Sequence, residues 1–177
     1  MILAELLKNM QNWTDNLFSE GELADYLIIR WQRFAAALNA ARQDGSENRF
    51  NMEELFLQTP ELLTGTEIVE YNFVEQELLP GASPRYFIIL QVPFFGDAEL
   101  LQNRLPDCPN DAPEGMVCEQ YLRLRYEQSG PTDNSWRGDY LSNIMAITDF
   151  IDLVDVYVKC FNERIRQMLP TLPQQTF

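Results

Sequence analysis

The chain has 177 residues, 46 % of them hydrophobic and 12 % aromatic, which suffices for a core and is too apolar for a disordered polymer. Its net charge of −14 disfavours nucleic acid and anionic membrane surfaces, because both require clustered Lys and Arg. The chain contains no histidine, which removes the commonest general base and metal ligand and every Ser-His or Cys-His arrangement.

Residues 2–17 read as an amphipathic helix, since Leu3, Leu6, Met10, Trp13 and Leu17 recur at three- and four-residue steps. Ser19 predicts the start of a second helix, with Glu22 completing a capping box. Its apolar stripe is Leu23, Leu27, Trp31, Phe34, Leu38 and Ala41, and Asp44-Gly45 ends it with Gly45 in the left-handed position. A short third helix is expected from Asn51, its N-cap, towards Pro60.

The period then shortens to two. In Glu67–Leu78, Val69, Tyr71 and Phe73 alternate with Glu70 and Asn72, as in a half-buried strand. Pro80-Gly81-Ala82-Ser83-Pro84 reads as a turn. Tyr86–Leu90 is apolar on both faces and so belongs at the centre of its sheet, with Pro93 ending its regular pairing. Gly96–Met116, with Pro106, Pro109 and Pro113, is long for a connection, and Ala98–Leu105 predicts a helical turn or two within it. Val117–Gln128 alternates again, with Cys118, Leu122, Leu124 and Tyr126 on one face and Glu119, Arg123, Arg125 and Glu127 on the other. At least three strands result, most simply an antiparallel meander.

Ser129–Gly138 is expected as a loop, Asp139 as the cap of a final helix and Pro170 as its stop. In that helix Ile144, Ile147, Ile151, Val154, Val158, Phe161, Ile165 and Met168 form an unbroken a/d seam over four heptads. Such a seam needs a flat partner surface, either the protein's own sheet or another helix. Acids in the first half and Lys159, Arg164 and Arg166 in the second complement the helix dipole. Helices, then strands, then a helix means α+β: an antiparallel sheet of three or more strands packed by N-terminal helices and a long C-terminal helix. Residues 1–170 read as one domain and 171–177 as a tail.

Carboxylate chemistry remains open on composition alone. Glu53-Glu54 sits where acids favour a helix start. Asp149, Asp152 and Asp155 read as the solvated face opposite the seam rather than a cation site. Asp107, Asp111 and Glu114 lack the spacing of a calcium loop. No glycine-rich phosphate cradle and no nucleophile elbow occurs. No catalytic, cofactor or metal residue is therefore assigned.

Cys108, Cys118 and Cys160 are an odd number without metal-like spacing. Cys108 and Cys118 could close one loop, but free thiols are expected in a reducing compartment. Glu5 interrupts the N-terminal apolar stretch and no basic segment precedes it, so a signal peptide is not expected. With no apolar run of ~18 residues either, the reading is a cytoplasmic protein or a particle assembled in the cytoplasm.

These exclusions leave protein–protein contact as the expected activity. The layout, rather than any motif, is similar to the neck and tail-completion subunits of phages, which implies a structural role in an oligomer or larger assembly. It is also similar in outline to dimeric acidic chaperones that hold a client segment. A carboxylate-dependent enzyme or small-ligand binder is the third reading. The partner contacts are assigned to Phe94, Phe95, Pro106, Pro109, Trp136, Arg137, Pro173 and Phe177: aromatics that break the local period, an arginine beside one of them, and the proline-rich loop and tail.

Overall fold

The computed structural model describes residues 17, 21–45, 55–75, 85–105, 113, 115–130 and 132–168. The expected first helix lies outside these except for Leu17, which is buried in a turn and donates its backbone N–H to the Pro113 carbonyl at 3.2 Å.

Leu23–Gln43 forms helix α1, a run of 21 residues with no Gly or Pro and five alanines in its second half. It starts at Leu23 rather than after Ser19. Glu22 is extended and makes no side-chain cap, because Gly21–Glu22, strand β1, is committed to a parallel bridge with a later segment. The C-terminal end is as expected: the Asp44 N–H donates to the Ala40 carbonyl, and Gly45 takes φ 64°.

The expected third helix is not helical in its described part. Leu55–Pro60 is an irregular strap whose backbone bonds go mostly to side chains. The Asn162 amide accepts from the Leu57 N–H at 2.9 Å and donates to the Leu57 carbonyl at 2.8 Å. Asp97 accepts from the Gln58 N–H through its carboxylate at 2.7 Å, and its own N–H donates to the Gln58 carbonyl at 3.0 Å. Two residues thus have both backbone groups satisfied without a helical turn.

The sheet is antiparallel and five-stranded. Strand β2 is Glu61–Leu62, β3 is Glu67–Glu75 and β4 is Arg85–Phe95; beyond them lie β6, Gly115–Cys118, and β7, Tyr121–Gln128. Between β4 and β6 come a 3-10 turn, Ala98–Leu101, and β5, Asn103–Arg104, the partner of β1. β4 is central, with β7 along one edge and β3 then β2 along the other; β6 is the far strand beyond β7.

The order is not a simple meander, because the chain passes the place of β7 to lay β6 first and returns by a hairpin. The predicted single strand Val117–Gln128 is therefore two strands, with Cys118 opposite Tyr121. Glu119 turns the chain at φ 42°, a conformation usually given to Gly or Asn. Pro93 does not end β4. Its carbonyl accepts from the Leu63 N–H at 2.8 Å, so its missing donor faces the gap where β3 stops and β2 takes over.

The last helix, α2, spans Trp136–Met168, 33 residues and about 50 Å. It begins three residues before the expected Asp139 cap. The cause is Asp133, whose carboxylate accepts from the Ser129 N–H, the Ser129 hydroxyl and the Ser135 N–H at 2.7–2.8 Å, folding the turn that launches the helix. These donors, the Ser129 backbone first, hold the Asp133 carboxyl well below the usual carboxylate range.

One core joins the layers. Ile88, Leu90, Val92 and Phe94 of β4 and Leu122, Leu124 and Tyr126 of β7 face Leu23, Phe34 and Leu38 of α1 and the seam of α2. Six of the eight seam residues, Ile147 to Ile165, are buried; Ile144 is half-buried and Met168 exposed. The flat partner surface the seam needs is therefore the protein's own sheet and α1, where Trp31 meets Phe161 edge-on at 6.3 Å.

Tyr126, in the core, contacts Tyr140 edge-on at 6.3 Å and accepts from the Asn143 amide at 3.2 Å. Burial pushes its hydroxyl up to about 12 from an ordinary 10.0. A folded-state value above the unfolded one means stability is intact below pH ~10 and falls as pH rises towards 12. The urea midpoint should drop across that window, and Tyr126→Phe should drop less than the parent. Equal drops would place the alkaline sensitivity elsewhere.

Candidate protein interface

The periodicity that buries one arc of α2 presents another to solvent. At 100° per residue, Leu141, Met145, Asp149, Asp152, Leu153 and Val156 fall within an arc of about 120° opposite the seam. All six are exposed. The apolar four are unusually so, at 61 % for Leu141, 68 % for Met145, 56 % for Leu153 and 58 % for Val156. Along the axis they make two apolar pairs about 18 Å apart, with the two aspartates between them.

The expected solvated face is thus solvated at Asp149 and Asp152 but not polar throughout. Asp155 leaves that face: it pairs with Lys159 and accepts from the Thr59 hydroxyl at 2.8 Å. Lys159, first, and Thr59 hold its carboxyl below the ordinary range. Among the described residues no group of three or more Cys, Asp or Glu is placed to hold a metal ion. No helix among them is long and apolar enough to cross a membrane.

The residues assigned to partner contacts separate in space. Phe94 points into the core and is buried, whereas Phe95, on the opposite face of β4, is 54 % exposed. Strand alternation makes the difference. Trp136 is also buried, because the helix starts at it and turns its ring inward. Arg137 is exposed and lays its guanidinium over the Trp136 ring at 5.5 Å. Pro106, Pro109, Pro173 and Phe177 lie outside the described residues, as do Cys108, Asp107, Asp111 and Glu114. Cys118 is half-buried and Cys160 exposed, both as free thiols.

No protein-family model, no curated protein and no solved structure matches this chain. The candidate surface therefore rests on the chain's own geometry.

The outward stripe has a signal in the sequence, although the seam obscures it. Leu141, Met145, Leu153 and Val156 are the large apolar residues of this helix segment, with Tyr157, that neither seam nor core uses. Surface leucines are ordinary when scattered. Four large aliphatic or thioether side chains on one arc of one helix are not scattered. Lys159 is the first cation after Arg137, so the arc between them is wholly acidic in its charge.

Further exposed apolar residues lie at one edge of the sheet. Leu63, between β2 and β3, and Ile68 and Val69 at the start of β3 are exposed. On its other side β3 has no paired strand among the described residues, and open strand edges invite pairing.

Proposed function

We propose that the chain is a non-enzymatic structural or assembly protein that acts through protein–protein contacts in a larger complex. A subunit of the kind found in phage necks and tail-completion rings is the finer form of this reading, and it rests on layout. The observation that carries the proposal is the outward stripe of α2, large apolar side chains held in water on a rigid helix whose other face is anchored in the core. A helix anchored this way presents its outer face with no backbone ordering cost on binding.

The second reading is an acidic dimeric chaperone or adaptor. It is favoured by the carboxylates in the middle of the stripe, which suit a client segment carrying cations. Sedimentation velocity on the purified full chain separates the two. A closed oligomer of six or more copies is the expected result. A dimer would favour the chaperone. A monomer that turns over a small molecule would overturn both.

Nucleic acid is not among the proposed partners. A gel shift at about 150 mM salt, where screened contacts have weakened, should leave DNA and RNA unbound.

A further inference from the structure

The outward arc of α2 is built for one kind of occupant. Its ends are apolar, Leu141 with Met145 and Leu153 with Val156, and its middle holds Asp149 and Asp152. Lys159, the nearest cation along the helix, is already paired with Asp155. A wholly apolar helix laid here would strip water from two carboxylates and return nothing. A second copy laid antiparallel, apolar pair on apolar pair, would stack Asp149 of one chain close to Asp149 of the other. The net charge of −14 adds to that repulsion.

We propose that this arc docks a basic amphipathic helix of another protein, two apolar anchors seating on the two apolar pairs and Lys or Arg between them meeting Asp149 and Asp152. The inference rests on the protein-contact reading above and gives it a partner chemistry. The mode is helix-on-helix recognition, in which anchors supply affinity and charge supplies register and exclusion. The anchors must stand about 18 Å apart, three turns of helix, with the cations on the middle turn.

The test uses the purified full chain and two labelled synthetic helices. Each carries two leucine pairs three turns apart on one face; one has two lysines between them and the other two glutamates. Fluorescence anisotropy at about 50 mM and about 300 mM salt reports binding. The lysine peptide should bind saturably, and the glutamate peptide about tenfold more weakly. Asp149→Asn with Asp152→Asn should remove most of that difference and its salt dependence. Leu141→Ser with Val156→Ser should weaken both peptides. All four substitutions are at exposed positions, so melting temperatures should match the parent and keep a loss of binding interpretable.

Equal binding of the two peptides overturns the charge assignment, and so does an Asn variant that still discriminates between them. Absence of saturable binding overturns the docking surface itself. Self-association that Val156→Ser abolishes would make a second copy the occupant and also overturn the proposal. An oligomer that persists by sedimentation while the peptides fail removes this surface, and the assembly reading then rests on contacts elsewhere in the fold. Peptide binding by a strict monomer does the reverse.

Discussion

Ile147→Asp is expected to leave no folded protein. Ile147 is 0 % exposed in the N-terminal half of the α2 seam, in the core shared with β4 and β7. A carboxylate there would sit in a cluster of buried hydrophobic side chains. Lost burial of the isoleucine costs ~1.5–3 kcal/mol, and an uncompensated buried charge adds several more unless it protonates. The total approaches the whole stability of a typical domain, ~5–15 kcal/mol. Far-UV circular dichroism should show a collapsed or unfolded chain. Met145→Asp, two residues away on the outward arc, should melt like the parent. If both variants unfold alike, or neither does, the two faces of α2 are not what the burial pattern says.

Gly96→Ala should cost about 2–4 kcal/mol, a large effect for a single methyl group. Gly96 has φ 109°, a region closed to other residues. A Cβ there would also stand 2.7 Å from the Thr59 carbonyl oxygen, 2.9 Å from the Pro60 Cα and 3.0 Å from the Gln58 carbonyl oxygen. All three are strap backbone, which cannot swing aside as a long side chain could. The strap is itself tied down by Asn162, by Asp97 and by Thr59 on Asp155. The substitution therefore forces either the end of β4 or the strap to move. Chemical denaturation compares it with Gly130→Ala, whose site has nothing within 4 Å of the added carbon. Equal midpoints would mean that the strap is not packed against Gly96.

Much of the fold was legible because it follows from periodicity. The seam of α2, the stripe of α1, the two-faced apolar run of β4 and the alternation of β7 are all patterns of side chains, and burial follows them. What escaped was written in backbone needs that composition does not show. The Glu119 turn has no Gly, Asn or Asp, so the hairpin between β6 and β7 reads as one strand. The strap looks like a short helix until Asn162, about a hundred residues later, supplies the bonds that a helix would have made internally. Asp133 starts α2 early through donors on Ser129 and Ser135, which makes Trp136 a core residue instead of a loop aromatic.

The candidate surface escaped for a different reason. A strong inward pattern draws attention to itself, and everything opposite is then read as solvent-facing by default. Asp149 and Asp152 do meet that expectation, being exposed. The aliphatic side chains around them do not, and only their exposure in the fold separates a true surface stripe from residues buried under another element. Phe94 and Phe95 show the same limit in small: adjacent in sequence, they divide between core and solvent once the register of β4 is known.

Site-specific photo-crosslinking shows whether the outer face of α2 meets another protein. A photoreactive amino acid at position 145, in the cells that make the protein, should give one discrete adduct of higher mass. Its crosslinked peptide, identified by mass spectrometry, should be a helical segment with Lys or Arg between apolar residues. The same probe at Gln32, on the exposed face of α1, should give no such adduct. If position 145 stays uncrosslinked, or crosslinks only within its own chain, the stripe faces water in the working protein and the proposed contact is wrong.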